Sequence, residues 1–354
     1  MMRFQRYRVL IGLFALTSLM FVGLLFAPRA DGQLIGSDGV GYYIYLRSFM
    51  LDGDLDFHNE YAYFLKSGAI KAIPLTADGT AANKYALGVG VLWSPFFLLA
   101  HLIAVIGRVL GFNLATDGYS WLYQGAISFG SMVYGVVGMA LAVRCVQRFY
   151  QTWISNLAAV LFWLAGNAVY YAAFEPSMAH MVALFSVSAL LSFWFLRLRR
   201  DHAPTWRECV LLGILAGLVP LVRLQAAVVL LIPALDGLYR LWQARDSSTW
   251  RGWLRHALVA SLIALVVFAP QLLAWRTIYG VWISPYLDDH QPAFYWTQPH
   301  LVEVLFSTFH GLLSWHPVYA LALLGIVSVW RHDRWLTLGM IAVLGLNWYI
   351  VAAW

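Results

Sequence analysis

One acidic stretch of the chain contains the side chains best suited to chemistry. Residues Gly36 to Tyr63 hold five of the 17 acidic residues, and Asp38 lies there between Gly36 and Gly39. Small neighbours let a ligand approach closely, and a carboxylate in this position can act as a general base or hold an acceptor hydroxyl. The alternative is an aspartate that caps a helix predicted to begin near Val40.

Three further carboxylates follow in the same stretch, at Asp52, Asp54 and Asp56. Oxygen ligands of this kind suit a divalent cation, but the spacing fits a calcium-binding loop poorly. A solvated acidic loop is the alternative interpretation. The sequence establishes no cofactor, and a divalent cation on these aspartates is the one cofactor that it suggests.

Two isolated cations lie close to apolar segments and could meet an anion. Arg223 follows Pro220 at the tip of a predicted short hairpin, with Gln225 two residues on. A charge at that depth in a membrane predicts a functional cavity, although the side chain could instead extend to the headgroups. Lys84 is one of three lysines and opens an apolar helix, where it could meet a lipid phosphate.

The segment from Phe174 to His180 brings Glu175 and His180 to the end of another apolar segment. Aromatic residues and histidines also recur late in the chain, where an interfacial belt is the simpler interpretation. The sequence has no HExxH, Walker, GxSxG or CxxC motif, so hydrolase, ATPase and redox functions lack support.

The composition identifies the elements that must position these residues. The mean hydropathy is +0.69, with 61% hydrophobic and 11% charged residues, which predicts a bundle of membrane-spanning helices. The net charge is +6, but the basic residues are spread between apolar segments. This distribution argues against a nucleic-acid partner.

The basic residues also predict the topology. Arg3, Arg6 and Arg8 precede a first span over 9–27, which places the N-terminus in the cytoplasm and 28–118 outside. Within that outer loop we interpret Ala86 to Val109 as an embedded juxtamembrane helix. The remaining spans then fill 119–354, and the arginines that follow the inward spans face the cytoplasm. Two such groups are Arg197, Arg199 and Arg200, and Arg240, Arg245, Arg251 and Arg255.

This count gives nine spans in a single all-α transmembrane domain, 1–354. A tenth span at Ala86 to Val109 is the alternative, and it loses the charge asymmetry downstream. Glu208 to Val222 is predicted as a short span broken by Pro220, and Leu312 to Trp330 as one continuous span. Because the chain ends directly after a predicted outward span, we expect a fragment or a short relative of longer proteins.

These features resemble the GT-C superfamily of integral membrane glycosyltransferases. The similarity is to the bacterial branch that contains protein mannosyltransferases and lipid A aminoarabinose transferases, and it extends over almost the whole chain. It rests on four local patterns: Asp38 before Tyr42 and Tyr43; Lys84-Tyr85 with Leu87, Gly88 and Pro95; Tyr170, Tyr171, Pro176 and His180; and Gly213, Gly217, Leu218, Leu221 and Arg223. A strict Lys-Pro-Pro of the family is absent, since Ala86 and Leu87 follow Lys84-Tyr85.

The resemblance implies a GT-C-like fold in the bacterial inner (plasma) membrane, with the active site facing the periplasm. It also implies a polyprenyl-phosphate-sugar donor, an acceptor that is a lipid, glycan or protein, and inverting transfer centred on Asp38. Tyr42, Tyr43, Tyr85, Glu175, His180 and Gln225 are then expected to bind substrate. Arg223 and Lys84 would stabilise the leaving phosphate, with Arg47 and Arg276 as weaker candidates.

Two other functions use the same residues. A transporter or flippase of lipid-linked sugars needs the same apolar groove and cations, and it predicts charges at mid-span and paired broken helices. A structural or assembly partner without activity is the third possibility. The glycosyltransferase accounts best for charges that lie mostly in loops and at helix ends.

Overall fold

The computed structural model describes residues 2–26, 32–199, 204–243, 247–287 and 294–354. In this part the chain is helical, and the one extended pairing is an antiparallel bridge between Leu75 and Ala81. The prediction of an all-α protein is confirmed. Arg200 and Arg245, two of the arginines predicted to face the cytoplasm, lie outside the described residues.

The α-helices of the described part follow one another along the chain, and three of them continue directly into a π-helical turn. The helices are α1 (Met2–Leu25), α2 (Asp38–Arg47), α3 (His58–Ser67), α4 (Gly88–Val109), α5 (Trp121–Val146), α6 (Thr152–Val160), α7 (His180–Phe193), α8 (Trp206–Val222), α9 (Leu231–Gln243), α10 (Ser247–Tyr279), α11 (Leu301–Phe306), α12 (Leu312–Trp315), α13 (Val318–Trp330) and α14 (Arg334–Ala353). The π-helical turns are Ser48–Asp52, Leu161–Ala165, Tyr170–Phe174 and Trp194–Leu198, and the 3₁₀ segments are Leu224–Leu230 and Pro285–Leu287.

Seven helices of the described part are long and apolar enough to cross a membrane. They are Tyr7–Leu25, Gly88–Val109, Trp121–Val146, His180–Leu198, Leu224–Gln243, Trp250–Tyr279 and Arg334–Ala353. Large apolar side chains on them are open to the surroundings, for example Leu262 at 62% and Val266 at 60% exposure. Exposure of an apolar surface of this extent to water is unfavourable, so the protein is a membrane protein.

The predicted number of nine spans is not settled by these lengths. Two shorter apolar helices, Thr152–Ala165 and Val318–Trp330, fall below the length of the seven. Helix α4 is long enough to cross, yet it packs antiparallel along only the first half of α5. The Phe97 and Tyr123 rings are 5.0 Å apart, and the Tyr134 hydroxyl donates to the Leu92 carbonyl at 2.8 Å. An embedded α4 stays a prediction.

Prolines interrupt the helices differently from the prediction. Helix α8 continues through Pro220 to Val222, and the break comes at Arg223, whose backbone is extended at φ −154° and ψ 111°. The predicted single span Leu312 to Trp330 is divided by Pro317 into α12 and α13. A proline disfavours helical geometry in the residue before it, and His316 has φ −133° and ψ 71°.

Glycines allow a close helix contact between α8 and α10. A Cβ at Gly213 would lie 2.5 Å from the Ala260 carbonyl oxygen, and one at Gly217 would lie 2.4 Å from that of Ala264. Small residues four apart let two helix backbones approach in this way. The Gly-x-x-x-Gly pattern of α8 thus fixes the helix that ends at Arg223.

Two layers of the molecule meet beside the middle of α5. Helices α2 to α4 share one buried core with the first half of α5, and Tyr43, Trp93, Phe97 and Tyr123 are fully buried in it. Helix α7 begins beside the middle of α5, where Met181 fills the space that a side chain at Gly135 would occupy. The start of α2 and the start of α7 therefore meet at the junction of these layers.

Candidate functional site

Asp38 is the first residue of α2, and the structure does not use it as the helix cap. The N-cap position belongs to Ser37, which has a positive φ of 51° and makes no capping hydrogen bond with its side chain. A carboxylate in the first turn is favoured by the positive end of the helix dipole. The Asp38 side chain is half-buried, and it accepts a hydrogen bond from Tyr85 instead of capping backbone groups.

Tyr85 holds the Asp38 carboxylate. Its hydroxyl donates to Asp38 Oδ1 at 2.7 Å, across 47 residues of chain. Burial, followed by this hydrogen bond and the charge of Asp38, raises the pKa of the Tyr85 phenol well above its ordinary value. The phenol therefore stays protonated and acts as the donor, which fixes one oxygen of the carboxylate.

Two glycines make this arrangement possible. A Cβ at Gly41 would lie 1.9 Å from the Tyr85 ring, so the ring lies flat against bare backbone of α2. A Cβ at Gly39 would lie 2.3 Å from the Ser177 hydroxyl oxygen, so the other side of α2 touches the turn before α7. The two glycines bring Tyr85 and the 175–180 turn to opposite sides of Asp38.

Tyr42 lies near both Asp38 and Arg223. Its ring lies 5.0 Å from the ring of Tyr85. Burial raises the pKa of the Tyr42 phenol to about 12, while the positive charge of Arg223 opposes the rise and the negative charge of Asp38 adds to it. Both charges therefore act on the same hydroxyl, which indicates that Asp38 and Arg223 lie in one neighbourhood.

Tyr43 is not brought to the site. Its side chain is fully buried among Phe64 and Phe97, and its hydroxyl donates to the carbonyl of Gly118. Successive residues of a helix point about 100° apart, so Tyr42 faces the site and Tyr43 faces the core. The expected contact of Tyr43 with substrate does not fit this geometry.

A cavity of about 940 Å³ opens beside Asp38. Its walls come from the start of α2, from the segment 69–75 after α3, from Lys84 and Tyr85, and from residues late in the chain. The late residues are Tyr279, Pro285, Tyr286, Tyr295 and Trp354. The volume is in the range of small-molecule sites, so a sugar-sized ligand would fit next to the carboxylate.

Lys84 belongs to this cavity. Its ammonium lies 5.3 Å from the ring centre of Tyr286 and 5.9 Å from that of Tyr85, within the range of cation–π contacts. Lys71 lines the same cavity from the segment after α3. Lys71 and Tyr279 were not predicted from the sequence. The scarcity of lysine, with three in the chain, was the available signal for Lys71.

Arg223 and His180 form a second cluster behind Tyr42. Arg223 Nη1 donates to His180 Nδ1 at 3.1 Å, and Arg223 Nε donates to Gln225 Oε1 at 3.0 Å. The Tyr171 ring stacks on the imidazole with centres 3.6 Å apart. The same Nη1 lies 3.4 Å from His180 Nε2. Because a guanidinium has donors only, the imidazole is the acceptor of this contact and is neutral. These partners leave the guanidinium charge uncompensated by hydrogen-bonded carboxylates in the described residues.

Glu175 lies in the turn that leads to this cluster. The π-helical turn Tyr170–Phe174 ends at Glu175, whose N–H donates to the carbonyl of Tyr170 at 3.0 Å. Ser177 follows in the same turn and contacts α2 at Gly39. Of the predicted site residues, Asp38, Tyr42, Lys84 and Tyr85 thus come together in one group, and His180, Arg223 and Gln225 in a neighbouring one.

Arg47, a weaker candidate for the leaving phosphate, is committed elsewhere. Its Nη1 forms ion pairs with Asp52 and with the fully buried Glu60, the latter at 2.8 Å, and its guanidinium lies 4.5 Å from the ring centre of Tyr119. Burial raises the pKa of the Glu60 carboxyl to about 7 against the opposing effect of Arg47. Arg276, the other weaker candidate, donates to the carbonyl of Gly280.

The aspartates proposed as metal ligands have separate partners. Asp52 pairs with Arg47, Asp54 accepts from the Ser48 hydroxyl at 2.7 Å, and Asp56 pairs with His58 at 2.6 Å. Among the described residues no group of three acidic, histidine or cysteine side chains is arranged to hold a metal. Metal binding by these residues stays a hypothesis that their hydrogen bonds do not favour.

No family model, no curated protein and no solved structure matches this chain.

Proposed function

We propose that the protein is a membrane glycosyltransferase that moves a sugar from a polyprenyl-phosphate donor to an acceptor hydroxyl, with inversion. The observation that carries the proposal is the carboxylate of Asp38, held by Tyr85 on the wall of a sugar-sized cavity. The Arg223 cluster beside Tyr42 supports it, because a charged leaving group needs a fixed cation nearby. The resemblance to the GT-C superfamily agrees with this combination.

The proposed reaction is a single displacement. Asp38 accepts the proton of the acceptor hydroxyl as the oxygen attacks the anomeric carbon, and the bond from that carbon to the phosphate oxygen breaks. The proton ends on Asp38, and the electron pair leaves with the polyprenyl phosphate. Arg223 stabilises the charge that develops on this phosphate, while Tyr85 keeps the carboxylate oriented.

We further propose that the reaction takes place on the extracytoplasmic side of a bacterial inner membrane, with the N-terminus in the cytoplasm. A lipid carries the donor there because nucleotide sugars are not expected outside the membrane. The arginines after the predicted inward spans favour this orientation. The acceptor hydroxyl belongs to a lipid, a glycan or a protein.

The test is sugar transfer by the purified full chain from a panel of polyprenyl-phosphate hexoses and pentoses. Loss of a general base costs about 10²- to 10⁴-fold in rate, so Asp38→Asn should lose transfer by about that factor. Asp78→Asn, a fully exposed aspartate in the 76–80 turn, is the matched control and should keep wild-type transfer. Full transfer by Asp38→Asn, or no transfer by wild type with any donor, would reject the proposal.

A transporter of lipid-linked sugars is the second candidate, favoured by the interrupted helices. Helix α8 stops at Arg223 before a 3₁₀ segment, and α6 continues into a π-helical turn that ends at Gly166. Broken helices of this kind are common in transporters. Movement of a fluorescent polyprenyl-phosphate sugar across proteoliposomes, with no transfer to an acceptor, would favour this candidate over the enzyme.

A further inference from the structure

The cavity beside Asp38 and the Arg223 cluster are two different places. Arg223, His180 and Gln225 do not line the cavity, which reaches from Asp38 away towards the segment 69–75 and the residues late in the chain. Lys84 lies on the cavity side, over Tyr286, and not beside Arg223. One cation, Lys84, therefore lines the cavity with Asp38, and the other, Arg223, lies outside the cavity near Tyr42, which gives each of two ligands its own cation.

Aromatic side chains form much of the cavity wall. The tyrosines and the tryptophan that line it are Tyr61, Tyr85, Tyr279, Tyr286, Tyr295 and Trp354. Tyr286 and Trp354 pack against each other with ring centres 5.2 Å apart. Such rings present an apolar face and a polar edge, which matches the C–H faces and hydroxyl groups of a saccharide. A purely lipidic ligand would form no hydrogen bonds with the polar edges.

The charges in the cavity are positive in excess. Two of the three lysines of the chain, Lys71 and Lys84, line it, and Asp38 is the one acidic residue among its described lining residues. Neither ammonium has a carboxylate within 4 Å in the part of the chain that the structure describes. A neutral sugar would gain little from two unpaired cations, whereas an anionic one would form charge-assisted hydrogen bonds with both.

We propose that this cavity binds the acceptor as an acidic saccharide, whose carboxylate or phosphate substituent is held by Lys71 and Lys84 while a hydroxyl faces Asp38. The assignment of this ligand as the acceptor rests on the proposed glycosyltransferase function. The site itself does not, because an acidic saccharide would bind there whether or not a donor is present. Binding without donor is therefore the property to measure.

The experiment compares matched saccharides in the absence of any donor. Tetrasaccharides that contain glucuronate, galacturonate or mannuronate are titrated into the purified full chain, each beside its carboxyl-reduced neutral form. At low ionic strength we expect at least one acidic form to bind about tenfold more tightly than its neutral form, because two exposed ion pairs contribute up to about fivefold each. Added salt should reduce the difference.

The lysines provide the variants and their control. Lys71→Gln should lower the preference for the acidic saccharide several-fold, and the double variant Lys71→Gln/Lys84→Gln should abolish it. Lys66→Gln is matched, since Lys66 is the third lysine and is exposed on α3 outside the cavity. It should bind like wild type. All three changes are at exposed side chains, so a folded protein is expected in each case.

The proposal is overturned if no acidic tetrasaccharide binds more tightly than its neutral form, or if Lys71→Gln and Lys66→Gln behave alike. These outcomes differ from failure of the proposed function. A charge preference that depends on Lys71, without sugar transfer from any donor, would reject the glycosyltransferase and keep the acidic-saccharide site. Transfer to neutral acceptors without a charge preference would do the reverse.

Discussion

An arginine lies beside each end of α7 and its π-helical continuation, and the two arginines have different partners. At the start, Arg223 donates to neutral groups, His180 at 3.1 Å and Gln225 at 3.0 Å. At the far end, Arg199 forms ion pairs with Asp236 of α9 and with Asp333, the N-cap residue of α14. One guanidinium has no carboxylate partner in the described residues, whereas the other has its charge balanced within the protein.

This contrast separates a proposed binding group from a structural one. The side chains of Arg199, Asp236 and Asp333 are 15 to 20% exposed, and together they join α7, α9 and α14. Such a network stabilises the fold while all of its members are present. Removing one member leaves the others as unpaired, partly buried charges, which lowers stability. Arg223 has no such dependents in the described residues, so its removal should cost binding and little stability.

The largest expected effect is on stability, at the far end of α7. Arg199→Ala leaves Asp333 unpaired and Asp236 with only Arg240 of its two ion pairs, and should lower the free energy of unfolding by about 3 kcal/mol. Unfolding in detergent, followed by tryptophan fluorescence, measures this. Arg197→Ala is the control at the same end, because Arg197 is 57% exposed in its pair with Glu208. A loss below about 1 kcal/mol for both would place Arg199 among ordinary surface pairs.

The next effect is on binding, at Arg223. Arg223→Ala should weaken binding of a polyprenyl-phosphate sugar about thirtyfold, equivalent to about 2 kcal/mol, since a hydrogen bond to a charged group is worth about that much. The unfolding free energy should stay within about 1 kcal/mol of wild type. Arg276→Ala, whose guanidinium bonds the Gly280 carbonyl, is the comparison variant for donor binding. If Arg223→Ala bound the donor as tightly as Arg276→Ala does, Arg223 would have no role in donor binding.

A third expected effect is a pH dependence from Glu60, which, unlike Asp236, is fully buried beside its arginine. Burial raises its pKa from 4.5 to about 7, so the folded state favours the protonated carboxyl. The resulting stabilisation is complete below pH 4.5 and is lost as the pH rises through about 7. The Tm should therefore fall between pH 5 and pH 8, and Glu60→Gln should reduce that fall. An unchanged fall in the variant would contradict this.

The fold was predictable from sequence where apolar length decides the outcome. The all-α architecture and the positions of α5, α7, α8 and α14 follow from runs of apolar residues that water cannot accommodate. The prolines were harder, because their effect depends on where they fall in a helix. Pro220 lies in the last turn of α8 and is tolerated, whereas Pro317 separates α12 from α13.

The site was predictable only in part. Asp38 and Arg223 were recognisable as charges in an apolar chain, and His180 came with the turn before α7. The bond from Tyr85 to Asp38 joins residues 47 apart and follows no helical period, so only tertiary packing reveals it. Tyr42 and Tyr43 could not be told apart, because both are aromatic and the rotational phase of α2 depends on its neighbours.

Three glycines, Gly39, Gly41 and Gly88, have a consequence for how tolerant this region is of mutation. Each lies where another segment occupies the place of its absent side chain: Ser177, Tyr85 and the backbone of Leu221. An alanine at Gly39 or Gly41 would push apart the segments around Asp38, and one at Gly88 would push against the backbone just before Arg223, although none of the three has a side chain that could bind a ligand. In an alanine scan of the proposed activity, substitutions at these glycines would therefore lower activity as substitutions at the site residues do. Gly12, which has open space around it, would accept alanine.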